Sequence, residues 1–454
     1  KMDHVVAFDD ALGYVTIEPG VTQGQLFDFL VAEGGRWWMD ATGSGLEASV
    51  LGNSVERGFG HTPYGDHYAN TASFELVLAD GSVVNTGLGD LATPRLAGSF
   101  KWGLGPAIDG LFTQSNLAIV TRATLWLMPR PERFVGFVIQ IKEERQFSDL
   151  IERLRPLRQT GVIQSNLHIA NDVRALSSKG PYPWELMGNA VPLSEGLRQR
   201  LRTDAGLGAW ATLGGLYGTR EQVRANQKAL KRALKGLTKP IFLTERKLAA
   251  GEAFTRWRRR RGGDGGSLGA ILDVARPTFN LQRGEPSDEF LKSSRWRTRG
   301  PDLPPAPSDP LDANCGFYWV SPLAPMTGSD GQRLLDLIQP ILATHGFEPM
   351  ITVTLLNGRA MVFVTTIYYD RASHDESQRA RACHDALMTA ILNAGNPPYR
   401  AGIEGMRFLD QGADGRGAAY WGLVARLKQA LDPQNILAPG RYDPGSARKG
   451  APEA

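Results

Sequence analysis

The chain has 454 residues, 42% of them hydrophobic and 22% charged, the profile of a globular protein with room for two or three domains and a large cofactor. With 51 basic against 47 acidic side chains the formal charge is only +4, too even a balance to imply a nucleic-acid partner, and no apolar run approaches the roughly 20 residues of a membrane-spanning helix. The two cysteines, Cys315 and Cys383, exclude a disulfide framework, and without CxxC or paired Cys/His spacing they argue against a metal site.

From Val5 to about Pro129, short β-rich runs alternate with Gly-rich turns and helical stretches. Tyr14 to Ile17 is the first clear strand, and Asp80-Gly81 between Phe74 to Leu78 and Val83 to Val84 signals a hairpin. A strand-like run begins at Phe134, and Phe147, Leu150, Ile151, Leu154 and Leu157 then fall on one helical face. The same order recurs twice. Trp210 to Tyr217 precedes a basic helix from about Glu221 to Leu237, and Phe317 to Val320 precedes a helix from about Gln332 to His345, with a kink expected at Pro340.

Ile351 to Leu356 and Ala360 to Tyr368 flank Asn357-Gly358, a pair suited to a type I′ turn. Strands separated by helices, with this hairpin among them, predict a mainly antiparallel sheet with flanking helices. The proline-rich stretch from Gly300 to Pro310 predicts an extended loop. Tyr420, Trp421, Val424, Leu427 and Leu431 form the stripe of a last helix ending before Pro433. The fold class is therefore α+β.

Ile17-Glu18-Pro19-Gly20-Val21-Thr22, Ser49-Val50-Leu51-Gly52-Asn53, Glu56-Arg57-Gly58 and Thr62-Pro63-Tyr64-Gly65-Asp66-His67 occur in that order. Gly103-Leu104-Gly105-Pro106, Asp109-Gly110-Leu111-Phe112, Gln114-Ser115-Asn116, Ile119-Val120-Thr121 and Leu437-Ala438-Pro439-Gly440-Arg441 follow. In these segments the chain resembles the vanillyl-alcohol oxidase and p-cresol methylhydroxylase flavoproteins, most specifically over its first 130 residues. The resemblance implies an FAD-binding domain split between residues 1–130 and 399–454, enclosing a substrate (cap) domain at 131–398. It also places Lys1 inside the FAD domain, so an N-terminal part is expected to be missing from this chain. Any targeting sequence would lie in it; a soluble protein is expected, with the cytoplasm favoured.

By the same resemblance Ser49, Gly52, Asn53, Glu56, Gly58, Tyr64 and Ile119 line FAD, and Arg441 lies near its polar edge. Taken alone, glycines at turns are more often structural, and Arg441 reads equally as a solvated side chain. No GxGxxG follows a strand, so a Rossmann fold is not supported. Tyr399-Arg400 matches the pair that holds a substrate's phenolic oxygen in the family, where a surface Tyr-Arg pair is the ordinary alternative.

The implied activity is oxidation of a para-substituted phenol at its benzylic carbon, by hydride transfer to flavin through a quinone methide. Oxygen or a redox protein would accept the electrons, and a homo-oligomer is expected. The alternatives are a flavin enzyme of the same fold acting on another alcohol or hydroxy acid, and a flavin-free binding protein. No histidine or tyrosine aligns with the covalent linkage positions of relatives, so noncovalent FAD is expected, with Cys315 and Tyr318 the residues to watch. Ser44 or Gly43 stands where some relatives carry an aspartate, which leaves Glu47 and Glu289 as candidate acids or bases. The run Arg256 to Arg261, with Trp257 inside it, reads as a solvated charged segment.

Overall fold

The computed structural model describes residues 1–261, 266–299, 309–409, 415 and 417–443. A five-stranded antiparallel sheet takes the strands in the order Val5–Asp9, Tyr14–Ile17, Ile119–Trp126, Thr71–Val77 and Val83–Asn85. Its core joins Val15, Ile17, Phe74, Leu76 and Leu125 to Leu26 and Leu30 of helix Gln23–Ala32. That helix begins at a capping box in which Thr22 accepts from the Gln25 amide and the Gln25 side chain answers the Thr22 amide.

The second sheet has eight strands. Its main path runs Ile241–Leu243, Arg133–Ile141, Trp210–Gly218, Leu167–Asn171, Ile351–Leu355, Ala360–Asp370 and Cys315–Val320, and Leu323–Pro325 also pairs with Ala360–Asp370. Every pairing is antiparallel, as the α+β reading requires. The period of two is visible in Arg133–Ile141, where Val135, Phe137, Ile139 and Ile141 join the main core while Phe134 and Val138 pack on a second cluster with Phe279. Against the main face lie helices Phe147–Gln159, Arg220–Ala233, Gly328–Thr344 and His374–Asn393. All five apolar positions expected of the first of these, Phe147, Leu150, Ile151, Leu154 and Leu157, are buried.

Three local expectations need correction. The hairpin between Ile351–Leu355 and Ala360–Asp370 forms, but neither Asn357 nor Gly358 has the positive φ that a type I′ turn needs. Instead Asn357 Oδ1 accepts from the amides of Arg359 and Ala360, and the glycine serves close approach, since a Cβ on Gly358 would stand 2.5 Å from Gln159 Cγ. The basic helix ends at Ala233 rather than Leu237, because Leu234 to Leu237 form a turn closed by Gly236 at φ +86°. The helix containing Pro340 starts earlier than expected, at Gly328, where Thr327 caps it, and it remains helical to Thr344. Most of the proline-rich loop, residues 300–308, lies outside the described residues.

The two sheets meet where the chain returns from the second to the first. Pro322 bridges to Pro398, the Tyr399 amide donates to Ser321 O at 3.1 Å, and the chain then crosses to helix Ala418–Leu431 beside the first sheet. Cys315–Val320 is thereby left as an outer strand of its sheet, with Phe317 and Trp319 at 40% and 45% exposure. No helix among the described residues is long and apolar enough to cross a membrane.

Candidate active site

A cavity of about 320 Å³ opens at this crossing, lined by residues from both layers, among them Glu56, Tyr318, Trp319, His384, Arg400 and Arg441. Arg400 is held by its neighbour. The Tyr399 amide is fixed by Ser321, and the Tyr399 carbonyl accepts from Gln114 Nε2 at 3.0 Å. The Arg400 guanidinium then lies 5.7 Å from the Trp319 ring and 5.3 Å from the Tyr399 ring, with no carboxylate or other hydrogen-bond partner among the described residues. Burial pushes the Tyr399 phenol up to about 12, so at neutral pH it stays protonated and can donate.

Opposite, Glu56 forms an ion pair with Arg441 and accepts from the Tyr442 hydroxyl at 3.2 Å. The segment that carries Arg441 is anchored by Lys428, whose buried ammonium donates to Asn116 O at 2.9 Å, Leu437 O at 2.8 Å and Asp432 at 2.6 Å. Its charge is thus paired, and its three donors are satisfied.

The other candidate residues fall into separate groups. Ser49 caps the short helix Val50–Val55 through the Gly52 amide at 2.9 Å and donates to Pro19 O. Asn53 joins a buried knot in which His67 bridges Asn53 Oδ1 and Asp40 Oδ2, each at 2.6 Å. Gly58 lies against that knot so tightly that a Cβ would stand 1.8 Å from Asn53 Oδ1, and Tyr64 lines a small void beside His67. Ile119, 54% exposed, stands at the start of its strand away from the cavity lining. Of the further candidates, Glu47 faces solvent, Ser44 is hydrogen-bonded to Thr42, and Glu289 is paired with Lys292. Cys315 and Cys383 are free and buried, and burial raises both thiols. Among the described residues no group of three or more His, Cys, Asp and Glu side chains is placed to hold a metal.

Composition and spacing gave no sign of a histidine pair, His61 buried and His168 partly so, where the two layers touch. The rings of His61 and His168 are 4.1 Å apart, and Phe59 connects them to Tyr399, 6.0 Å from His168 and 5.0 Å from Tyr399. His168 Nε2 donates to Gly60 O at 3.1 Å, which leaves Nδ1 to accept from Thr354 Oγ1 at 3.0 Å. Burial holds both imidazoles below their ordinary range, His61 the further; His168 and His67 add to this at His61, and Arg158 does at His168, where the Gly60 carbonyl and Asp40 oppose it.

Comparison with known proteins decides the family. Residues 1–87 match the FAD binding domain and residues 332–442 the C-terminal domain of FAD linked oxidases. The chain is 35% identical over 447 residues to the 1'-carboxy-chondrochloren decarboxylase of Chondromyces crocatus, spanning 98% of this chain and 80% of that one. The chain belongs to the p-cresol methylhydroxylase family of FAD-dependent oxidoreductases. It is 29% identical over 441 residues to the 4-cresol dehydrogenase [hydroxylating] flavoprotein subunit of Pseudomonas putida, covering 97% of this chain and 77% of that one. The crystal structure of p-cresol methylhydroxylase with substrate bound superposes with a TM-score of 0.83 at 26% identity, over 97% of this chain and 78% of that one.

FAD is accordingly the cofactor, and the residues present fit it. A flat ring with a polar rim needs apolar surface and both donors and acceptors at its edge, and the cavity pairs the exposed rings of Phe317 and Trp319 with Arg441 and Glu56. Of the FAD-lining candidates, Glu56 and Arg441 line this cavity, while Asn53 joins His67 and Asp40 in the separate knot.

His61 and His168 set a pH dependence. Their native pKa values are depressed, so as pH falls through about 6.5 the unfolded chain takes up protons that the native chain does not, and stability falls. Each contributes up to about 1.4 kcal/mol per pH unit in that range. Urea unfolding between about pH 7 and 5 should show a shallower loss of stability in His61→Gln than in the wild type, by close to one proton's slope. Identical slopes would mean that His61 is protonated in the native state.

Proposed function

We propose that the protein oxidises para-substituted phenols at the benzylic carbon. The observation that carries this reading is the Arg400 guanidinium, which lines the cavity without a carboxylate partner among the described residues and lies 5.3 Å from the ring of the protonated Tyr399. A phenol has a pKa near 10, so holding it as phenolate at pH 7 costs about 4 kcal/mol. Charge-assisted hydrogen bonds contribute about 1.5–3 kcal/mol each, so one guanidinium and one tyrosine hydroxyl offset that cost. The phenolate pushes electron density through the ring to the para position, the hydride leaves from the benzylic carbon attached there, and a quinone methide remains for water to trap. The chemistry that FAD supplies when bound is acceptance of that hydride. The chain's own contribution is fixed charge and fixed position: neither Tyr399 nor Arg400 has to move to meet the developing negative oxygen.

Replacing Arg400 with Met keeps much of the packing against Trp319 and removes the charge. Flavin reduction by 4-ethylphenol, followed by stopped-flow in the holoenzyme, should slow by about 2–4 kcal/mol, roughly 30- to 1000-fold, at pH 7. It should recover in part toward pH 10, as more substrate arrives ionised. Equal rates for variant and wild type at pH 7 would remove Arg400 from this role.

The flavin is proposed to be held without a covalent bond, since no linking residue aligns and both thiols are buried and held protonated. Acid precipitation should leave the yellow colour in the supernatant. Colour in the pellet would redirect attention to Tyr318, which lines the cavity.

A second reading is favoured by the 35% identity to a decarboxylase. If the carbon next to the benzylic one bears a carboxylate, the quinone methide can collapse by releasing CO2: the C–C bond pair forms the new alkene and the phenolate is restored. With 3-(4-hydroxyphenyl)propanoate this predicts flavin bleaching with matching amounts of CO2 and 4-vinylphenol. Bleaching by 4-ethylphenol without CO2 release from the propanoate would leave the first reading alone.

A further inference from the structure

Ionising a bound phenol leaves a proton to be placed, and neither member of the clamp can take it. Arg400 is always protonated, and Tyr399 already holds its own hydrogen. The cavity wall carries an imidazole suited to accept it. His384, on helix His374–Asn393, is 4% exposed and lines the same cavity as Arg400. Its Nδ1 is 3.0 Å from Asp385 Oδ1, and because a carboxylate only accepts, Nδ1 carries the hydrogen and Nε2 keeps its lone pair in the neutral ring. Nε2 has no hydrogen-bond partner among the described residues, and the backbone beside it belongs to Gly405, where even an added Cβ would stand 4.0 Å away.

The ring is fixed in orientation as well as tautomer. It packs on Tyr318 at 5.0 Å and on Phe408 at 6.1 Å, while Asp385 is held from its far side by Arg407. An aspartate that orients an imidazole in the wall of a cavity is the arrangement by which a general base is kept in the correct tautomer.

We propose that His384, oriented by Asp385, is the base that takes the phenolic proton as the phenolate forms against Arg400. The inference rests on the phenol reading above. In the step the phenolic O–H bond breaks, its electron pair stays on oxygen beside Arg400, and the proton forms a new bond to His384 Nε2. In water the transfer is uphill by about 3.5 pH units, from a phenol near 10 to an imidazole near 6.5. A nearby opposite charge shifts a pKa by about 1–3 units, so Arg400 beside the phenolic oxygen narrows this gap. The other groups facing this step are Glu404 and Tyr318 in the cavity wall, Arg407 behind Asp385, and the Glu56–Arg441 pair, whose charges cancel.

The test uses 4-hydroxybenzaldehyde, which has no saturated benzylic carbon to oxidise and whose phenol and phenolate absorb differently. Bound to the flavin-loaded wild type and titrated with pH, it should ionise below its midpoint in free solution. His384→Gln keeps a similar volume and should raise the bound midpoint by about 1 unit or more, and Asp385→Asn should raise it in the same direction. A loss of packing alone would weaken binding without moving that midpoint. A wild-type midpoint no lower than that of the free ligand overturns the phenolate reading and this inference with it. A lowered wild-type midpoint that the variants retain overturns the role of His384 alone, and if His384→Gln does not fold, Asp385→Asn decides the matter.

Discussion

Gln114 ties together two pieces of chain from different layers. Its Nε2 donates to Glu56 O at 3.1 Å and to Tyr399 O at 3.0 Å, and its backbone takes φ +47° to bring the side chain there. Because one amide group fixes both carbonyls, the carboxylate of Glu56 and the guanidinium of Arg400 line a common cavity although they belong to different layers. Two residues further on, Asn116 accepts from Lys428 through its carbonyl and donates to Ala438 O through its side chain, which delivers Arg441 to Glu56. The geometry of the cavity follows from this short loop more than from either sheet.

Burial then decides which groups around it carry charge. At the contact between the layers, low polarity keeps His61 and His168 neutral and Tyr399 protonated, so that surface offers hydrogen bonds without net charge. Toward the cavity mouth the charges are paired or left open in a definite order: Glu56 with Arg441, Asp385 with Arg407, and Arg400 without a carboxylate. The cavity wall thus carries two charges without an ion-pair partner among the described residues, the Arg400 guanidinium and the Glu404 carboxylate, and an anion is drawn to the first. Electrostatic preorganisation of that kind needs little rearrangement when charge develops.

Much of the architecture was legible because it depends on local periodicity. The stripe Phe147, Leu150, Ile151, Leu154 and Leu157 announced a helix face, and the run from Phe134 announced a strand, though not that it packs on both sides. Turn chemistry was less legible, since Asn357-Gly358 satisfies two different physical demands with the same residue pair. Gly358 is there because Gln159 of another helix approaches it, and nothing near it in sequence reports that contact. The site was half legible: Glu56, Arg400 and Arg441 came from motifs and do surround one cavity. His61, His168 and His384 did not, because a lone histidine carries no spacing signal, and their partners lie on segments far away in the chain or, as with Asp385, look like any solvated carboxylate.

The anchoring of Lys428 on Asn116 spans 312 residues, and this bears on how the molecule comes into being on the ribosome. The first sheet is complete in sequence by Trp126, yet the ammonium that ties down its loop comes about 300 residues later. At about 5–20 residues per second the early layer waits roughly a quarter of a minute to a minute for that lysine. Meanwhile the eight-stranded sheet, contained between Arg133 and Asp370, can close on its own core. Synthesis order therefore favours a nascent chain whose inserted domain matures first, with the acceptors around Asn116 left open until the tail arrives.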